Sequence, residues 1–135
     1  MTNDFLEAKN EFISILSGKM ESEDISLVIE NMPFDIQNKD EFVRVSVQET
    51  ARERLTNDSS YAIYQNTGII AIQIFTAVNI GYKRITDIEK MIFDLFENYT
   101  NDNLRTLVFN YTDVGSADGW LQKNININFE FDIQI

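Results

Sequence analysis

The spacing of apolar residues predicts two helices. Apolar side chains recur three or four positions apart over residues 5–16, which is typical of an amphipathic helix, and Gly18 supplies its end. A second apolar stripe at helical spacing covers residues 85–99. Thr86 has the spacing of a capping box with the glutamate three positions on, although this helix can also begin a turn earlier, near Gly81.

Alternation of apolar and polar residues predicts five strands. A short strand covers residues 25–29, and residues 41–48 alternate with their valines on one face. The most apolar stretch, GIIAIQIFTAV, covers residues 68–78. A further strand is expected at 104–111, and the tail NININFEFDIQI at 124–135 has the clearest alternation of all.

The strand at 68–78 is apolar on both of its faces. One face carries Ile70, Ile72, Ile74 and Val78; the other carries Ile69, Ala71, Phe75 and Ala77, interrupted by Gln73. A strand with water on one side does not have this composition, so both faces need cover. Two helices cover one face of a small sheet. The other is covered by curling of the sheet or by a second copy of the protein.

The 135 residues have no repeat, no low-complexity segment and no Pro/Gly-rich linker, and we interpret residues 1–135 as one domain. The element order predicts an α+β fold: a mixed, mainly antiparallel sheet with two helices packed on one face.

The composition limits the kinds of catalysis and binding that we expect of this chain. The chain has no cysteine and no histidine, which removes disulfides, the commonest general base and the commonest metal ligand. Its formal charge of −11, from 22 acidic and 11 basic residues, disfavours specific binding of nucleic acid or anionic membranes. No apolar run approaches the roughly 20 residues of a membrane span. We expect no metal and no cofactor.

Three local features have both a structural and a functional interpretation. DVGSADGW, residues 113–120, lacks the ligand order of a calcium loop and is interpreted as a turn in which Gly115 and Gly119 adopt positive φ. Arg52 and Arg54 lie between acids, as a solvated loop or as one side of an intersubunit salt bridge. Trp120, the only tryptophan, is either a core or an interface residue.

The order of several motifs resembles that of the tail terminator (tail completion) proteins of long-tailed bacteriophages and prophages. SLVIENMPFD precedes the strand EFVRVSV; GIIAIQIFTAVNIG leads into the second helix; VGSADGW opens the closing strand LQKNININFEFD. The similarity extends from the first helix to Asp132. One departure is Gln65, where the family often has a basic residue before the strand glycine.

This resemblance implies a structural virion protein and not an enzyme. Such proteins are made in the bacterial cytoplasm and form a ring, typically a hexamer, on the head-proximal end of the tail tube. The ring ends polymerisation of the major tail tube protein, offers a docking surface to head-completion or neck proteins, and lets DNA pass through its lumen without specific binding. No membrane is involved.

Interface candidates follow from the resemblance and from the residues discussed above. They are Asn31, Pro33, Phe34, Arg44, Arg52, Arg54, Gly119 and Trp120. The charged and polar segment 49–60 is interpreted as a mobile connection or an extended hairpin, and we expect it to become ordered only on assembly. Two alternatives stay open: a head–tail joining (neck) protein that docks on the portal side, and a small acidic enzyme or ligand-binding domain with a carboxylate site.

Overall fold

The structure is a computed structural model that describes residues 1–30, 32, 39–56 and 61–135. Two helices and six strands follow one another along the chain. They are α1 (Phe5–Ser22), β1 (Ser26–Ile29), β2 (Glu41–Arg54), β3 (Ile63–Ala77), α2 (Tyr82–Phe96), β4 (Thr100–Asn101), β5 (Leu104–Ala117) and β6 (Trp120–Gln134).

Both predicted helices are present, with different bounds. Asp4 is the N-cap of α1, since its carboxylate accepts a hydrogen bond of 2.8 Å from the Glu7 amide. The helix continues through Gly18, which therefore does not end it. The earlier of the two starts expected for α2 is confirmed, because Gly81 with φ +86° directly precedes its first turn.

The sheet has the strand order β1-β2-β3-β6-β5-β4. β1 is parallel to β2, and the other neighbouring strands are antiparallel. The four inner strands have 14 or 15 residues each, whereas β1 has four and β4 has two. The two outer strands therefore cover only a small part of the edges beside which they lie.

The predicted fold class is wrong. The prediction was an α+β fold in which a mixed, mainly antiparallel sheet has two helices packed on one face. Of the described residues 52% are in strands and 27% in helices, and the six strands form a curled, mixed half-barrel sheet over which the helices do not form a face. Strands of 15 residues extend for about 50 Å, whereas helices of 18 and 15 residues extend for about 27 and 22 Å.

The curl has a physical origin in strand length and in local irregularities. Strand twist accumulates along long strands, and bulges increase it locally. The register shifts between Glu49 and Ala51 on β2, and twice on β5, between Thr106 and Phe109 and again near Gly115. Twist and bulges together bend the sheet away from the flat layer that the alternating pattern suggested.

A single core joins the two helices to one side of the sheet. It contains Phe12 and Leu16 of α1 and Ile88 and Ile92 of α2, packed with the alternating apolar residues of β2, β3 and β6. The prediction of a buried valine face on residues 41–48 is confirmed, and so is the buried isoleucine face of β3. We call this side of the sheet the helix side.

The second face of β3 is only partly covered. Its side chains Ile69, Ala71, Gln73, Phe75 and Ala77 are all half-buried. Over residues 69–73 the apolar surface on this face is one strand wide, because polar residues of β2 and β6 lie on both sides of it, as described below. The sequence of β3 alone therefore suggested a larger apolar area on this face than the sheet has.

Candidate assembly surface

The middle of the side of the sheet that faces away from the helices is lined mainly by polar, uncharged side chains. The register places amide and hydroxyl side chains of β2 and β6 next to the second face of β3. These are Ser46, Gln48, Gln73, Gln122, Asn124, Asn126 and Asn128, and we call them the polar sheet face. Arg44 is an exposed cation among them, and its Nη1 lies 3.5 Å from Oε1 of Gln73.

Three aromatic rings form a cluster at one end of this face, which we call the aromatic corner. The rings of Phe42 and Phe75 are stacked with centroids 4.5 Å apart, and Trp120 meets Phe42 edge-on at 5.0 Å. The Arg44 guanidinium lies 5.5 Å from the Phe75 ring centroid, within the range of a cation–π contact. The corner thus joins β2, β3 and β6 and holds Arg44 against the sheet.

The turn beside the aromatic corner confirms the predicted geometry of Gly119. Ala117 and Trp120 are paired across β5 and β6, so Asp118 and Gly119 form a two-residue hairpin loop. Their φ angles are +53° and +85°, and positive φ at both positions is the mark of the type I′ turn. The turn places Trp120 at the first position of β6. Residues 113–117, expected to belong to the turn, are strand instead.

The outer edge of β5 is open over most of its length. β4 pairs only with Leu104 and Arg105, and the Thr106 amide donates to the Tyr99 carbonyl. Within residues 1–30, 32, 39–56 and 61–135, no strand pairs with the outside of residues 107–117, which we call the β5 edge. Four large apolar side chains of this strand are exposed: Leu107 45%, Val108 55%, Tyr111 44% and Val114 51%.

The outer edge of β2 is open at the opposite end of the sheet. β1 pairs with β2 as far as Val45, and no other strand of the described chain lies beyond it. We call residues 46–56 the β2 edge. Arg52 is exposed there on the helix side, with its Nε donating to Oδ1 of Asn66 at 2.6 Å and its guanidinium 6.0 Å from the Tyr64 ring centroid.

A shallow groove separates the β5 edge from α2. It has a volume of about 310 Å³, and Thr86, Glu89, Lys90, Phe93 and Tyr111 line it. The lining is mostly apolar, and burial raises the pKa of the Tyr111 phenol above its ordinary value. This groove lies directly beside the unpaired backbone of β5, so a strand added to that edge meets an apolar wall.

A lysine on β6 links the groove to the β5 edge. Lys123 donates to the Glu89 carboxylate at 2.7 Å, and this hydrogen bond raises the pKa of Lys123. Its ammonium lies 5.6 Å from the Tyr111 ring centroid and 3.7 Å from the carboxylate of Asp113. The Asp113 side chain is nevertheless 79% exposed, so one acid of the β5 edge faces solvent.

A second ion pair lies in a polar cleft of about 430 Å³ between β1, β2 and α2. Arg84 donates through Nε and Nη2 to the two oxygens of Glu41, at 2.5 and 2.7 Å. The hydrogen bond that Arg84 donates to Glu41 raises the pKa of Arg84. Because the two charges satisfy each other, the arrangement fixes α2 against the start of β2.

The sequence-derived candidates are distributed over the two ends of the sheet. Arg44, Gly119 and Trp120 come together around the aromatic corner. Arg52 and Arg54 lie on the distal half of β2, and the Arg54 Nε donates to the Thr56 carbonyl at 2.7 Å. Asn31, Pro33 and Phe34 lie outside the described residues.

Part of the segment expected to become ordered only on assembly is already a strand. Residues 49–54 continue β2 and pair with Tyr64–Gly68 of β3, with Thr50 and Thr67 hydroxyls 3.0 Å apart. Residues 57–60 of that segment lie outside the described part. The cross-strand pairing explains the order of 49–54, because its backbone groups find partners on β3 within the same chain.

Sequence reasoning missed the β5 edge and the β2 edge as surfaces. A strand was predicted at 104–111, but nothing in the sequence indicated that β4 would cover only its first two residues. One signal was present: Leu107 and Val108 are consecutive apolar residues, which breaks the alternation of a half-buried strand and coincides with a bulge.

Within the described residues no group of three or more histidine, cysteine, aspartate or glutamate side chains is arranged to hold a metal ion. Neither helix in the described part of the chain has the length and apolar character that crossing a bilayer requires.

Comparison with known proteins shows the fold alone. No protein-family model matches the sequence, and no curated protein is significantly similar to it. Among 21 matching solved chains, one that carries no functional name aligns with a TM-score of 0.68 at 14% sequence identity. The alignment covers 97% of this chain and 96% of that chain, so the two share the whole arrangement of helices and strands.

Proposed function

We propose that this chain is a ring-forming virion protein that caps the head-proximal end of the tail tube of a long-tailed bacteriophage. The observation that carries the proposal is the open, apolar β5 edge. A long unpaired strand with exposed apolar side chains promotes association, and monomeric proteins normally shield such edges with charges, prolines or bulges. Here residues 107–117 contain two bulges, but only one charged residue, Asp113, and no proline.

The motif order that resembles tail terminators provides independent support. The motif EFVRVSV lies on β2, GIIAIQIFTA on β3, and the Gly119-Trp120 turn at the start of β6. The resembling segments thus coincide with three adjacent inner strands and with the hairpin that joins β5 to β6. Conservation of these segments in a family would preserve the sheet that carries both open edges.

The charge of the chain fits passage of DNA through such a ring. A formal charge of −11 repels phosphates. The polar sheet face offers amide groups, with Arg44 as a cation close to them. A surface of this kind does not hold a DNA backbone by ion pairing, since strong binding to phosphates requires several cations together.

Deletion of the gene from the phage or prophage that encodes it tests the proposal. Electron microscopy of the resulting particles should show tails of irregular, excessive length without heads, and supplying the gene in trans should restore one length. Tails of normal length that fail to join heads would contradict the capping role and favour a neck protein. A hydrolytic activity of the purified chain that disappears on one Asp or Glu substitution would favour an enzyme.

A further inference from the structure

We propose that copies of this chain join by strand addition, with the β5 edge of one copy pairing antiparallel with the β2 edge of the next copy. This inference rests on the proposed function, because it names the surface through which the capping ring closes. The partner is a second copy of this chain. The occupied surface is the outer backbone of residues 107–117, together with the groove beside α2.

The two open edges have similar lengths. The β5 edge is bounded by β4 before residue 107 and by the Asp118-Gly119 turn after residue 117. The β2 edge is bounded by β1, which ends opposite Val45, and strand β2 itself ends at Arg54. The open part of strand β2, residues 46–54, therefore has nine residues, and the open part of β5 has eleven. The short strand β1 prevents a partner strand from pairing with β2 at Val45 and before it, and β4 prevents one from pairing with β5 before residue 107.

The direction of the strands permits this pairing. β2, β3, β6 and β5 are successively antiparallel, so β5 runs opposite to β2 within one copy. A neighbouring copy in the same orientation therefore presents its β2 antiparallel to β5. Repetition of this contact continues one sheet from copy to copy, with each subunit contributing four long strands.

One register makes Arg52 of one copy the diagonal neighbour of Asp113 of the other, which brings opposite charges together on the helix side. Leu107 then lies opposite Thr56 of the next copy and Ala117 opposite Ser46, which places Tyr111 opposite Arg52. Both Tyr111 and Arg52 are on the helix side, as residues directly opposite each other must be. Arg52 then lies over the Tyr111 ring, and the exposed carboxylate of Asp113 is its diagonal neighbour.

The same register accounts for closure into a ring. Within one copy Tyr111 pairs with Ile125, Ile125 with Ile72, and Ile72 with Val45. Tyr111 and Val45 therefore lie at the same height along the strands. Pairing it with Arg52 shifts the next copy by seven positions on β2, one of which is the extra bulge residue Thr50. Without the bulge residue, the shift is six residues along the strand, or about 20 Å. The four long strands of one copy are together about 19 Å wide, measured across the sheet. The strands are then inclined by about 45° to the ring axis, close to the tilt at which sheets close into barrels.

A two-fold dimer through β5 alone is the main alternative, and charge disfavours it. Pairing two copies of residues 107–117 about their centre brings Asp113 of one copy diagonal to Asp113 of the other. Like charges at such positions destabilise a sheet pair. The β2 edge instead offers Arg52 to the same carboxylate, so the heterologous pairing is favoured.

Engineered disulfides test the register directly, since the chain contains no cysteine. Directly opposite residues in an antiparallel pair have Cα atoms about 4.5–5.5 Å apart, within the range that a disulfide spans. The double variant R52C/Y111C, oxidised at rising concentration and on tube ends, should form a ladder of covalent multimers ending in a closed ring. The matched control R52C/N110C, whose second cysteine is exposed on the opposite face of β5, should not.

The outcomes separate this inference from the proposed function. Absence of a ladder from R52C/Y111C in both settings, or dimers formed by Y111C alone, would overturn the β5–β2 pairing even if the chain still caps tail tubes. A ladder ending in a closed ring, from a protein that leaves tube length unchanged, would support the pairing and contradict the capping role.

Discussion

Replacing Gly68 by alanine probes how tightly the centre of the sheet is packed. Gly68 lies in β3, where it pairs with Glu49 of β2 and Phe129 of β6. A Cβ built on Gly68 would lie 2.6 Å from the Gln48 carbonyl oxygen and 2.7 Å from Cε1 of the Phe129 ring. Both distances are far below van der Waals contact, so either the ring or the backbone of β2 must move.

Neither neighbour can move cheaply. The Phe129 ring is 1% exposed and packs against Phe12, with centroids 4.9 Å apart, and against Phe5 at 6.5 Å. The Gln48 carbonyl belongs to a strand paired along its length with β3. Overpacking of this kind costs about 3 kcal/mol, and reduced freedom of the unfolded chain returns about 0.7 kcal/mol. We therefore expect Gly68→Ala to lower the free energy of unfolding by about 2 kcal/mol.

Urea denaturation followed by circular dichroism measures this change, with Gly18→Ala as the matched control. Gly18 lies inside α1, and a Cβ there meets nothing within 4 Å. That substitution should raise the free energy of unfolding by about 0.5–1 kcal/mol. A Gly68→Ala variant as stable as the original chain would refute the packing described for this part of the sheet.

Three further perturbations have defined outcomes. Burial, and then the hydrogen bond to Glu11, raise the pKa of Tyr99 to about 12. The stability that this shift contributes is complete below the unfolded pKa near 10 and is lost as pH rises to about 12. Tyr99→Phe should therefore reduce the loss of stability that denaturation experiments measure between pH 9 and about 12. Thr106→Val removes the 2.6 Å hydrogen bond to the Phe96 carbonyl, which keeps the 3.3 Å bond from the Tyr99 amide, and should cost about 1 kcal/mol in urea denaturation. Gly119→Ala forces a side chain into φ +85° and should lower the melting temperature, at a cost of about 1 kcal/mol.

Local patterns predicted the elements well, because alternation and helical spacing are properties of neighbouring residues. Both helices and most strands were expected, and the valine face of β2 was assigned to the core. The fold class was wrong because the curl depends on bulges and on strand lengths. Strands β2, β3, β5 and β6 all extend beyond their predicted bounds, into polar segments such as ETARER, residues 49–54. A polar strand of this kind has no periodic signal.

The candidate surface was predictable only in part. The turn at Asp118-Gly119 follows from turn chemistry, and its geometry was anticipated. The aromatic corner needs the long-range register that brings Phe42, Phe75 and Trp120 together from three strands. The open edges could not be predicted from the sequence. An edge is open when no other strand pairs with it, and the local pattern of residues does not show which strands pair.

Tail-tube growth in vitro measures the central claim most directly. The purified chain is added to polymerising tail tube protein of the same phage, and tube lengths are recorded by electron microscopy. We expect growth to stop at a small molar fraction of this protein, with a ring visible at one tube end. We also expect Arg52→Glu, which brings like charge to Asp113 across the proposed contact, to allow longer tubes. Tubes that grow equally long with and without the unmodified chain, and whose ends carry no added density, would contradict the account.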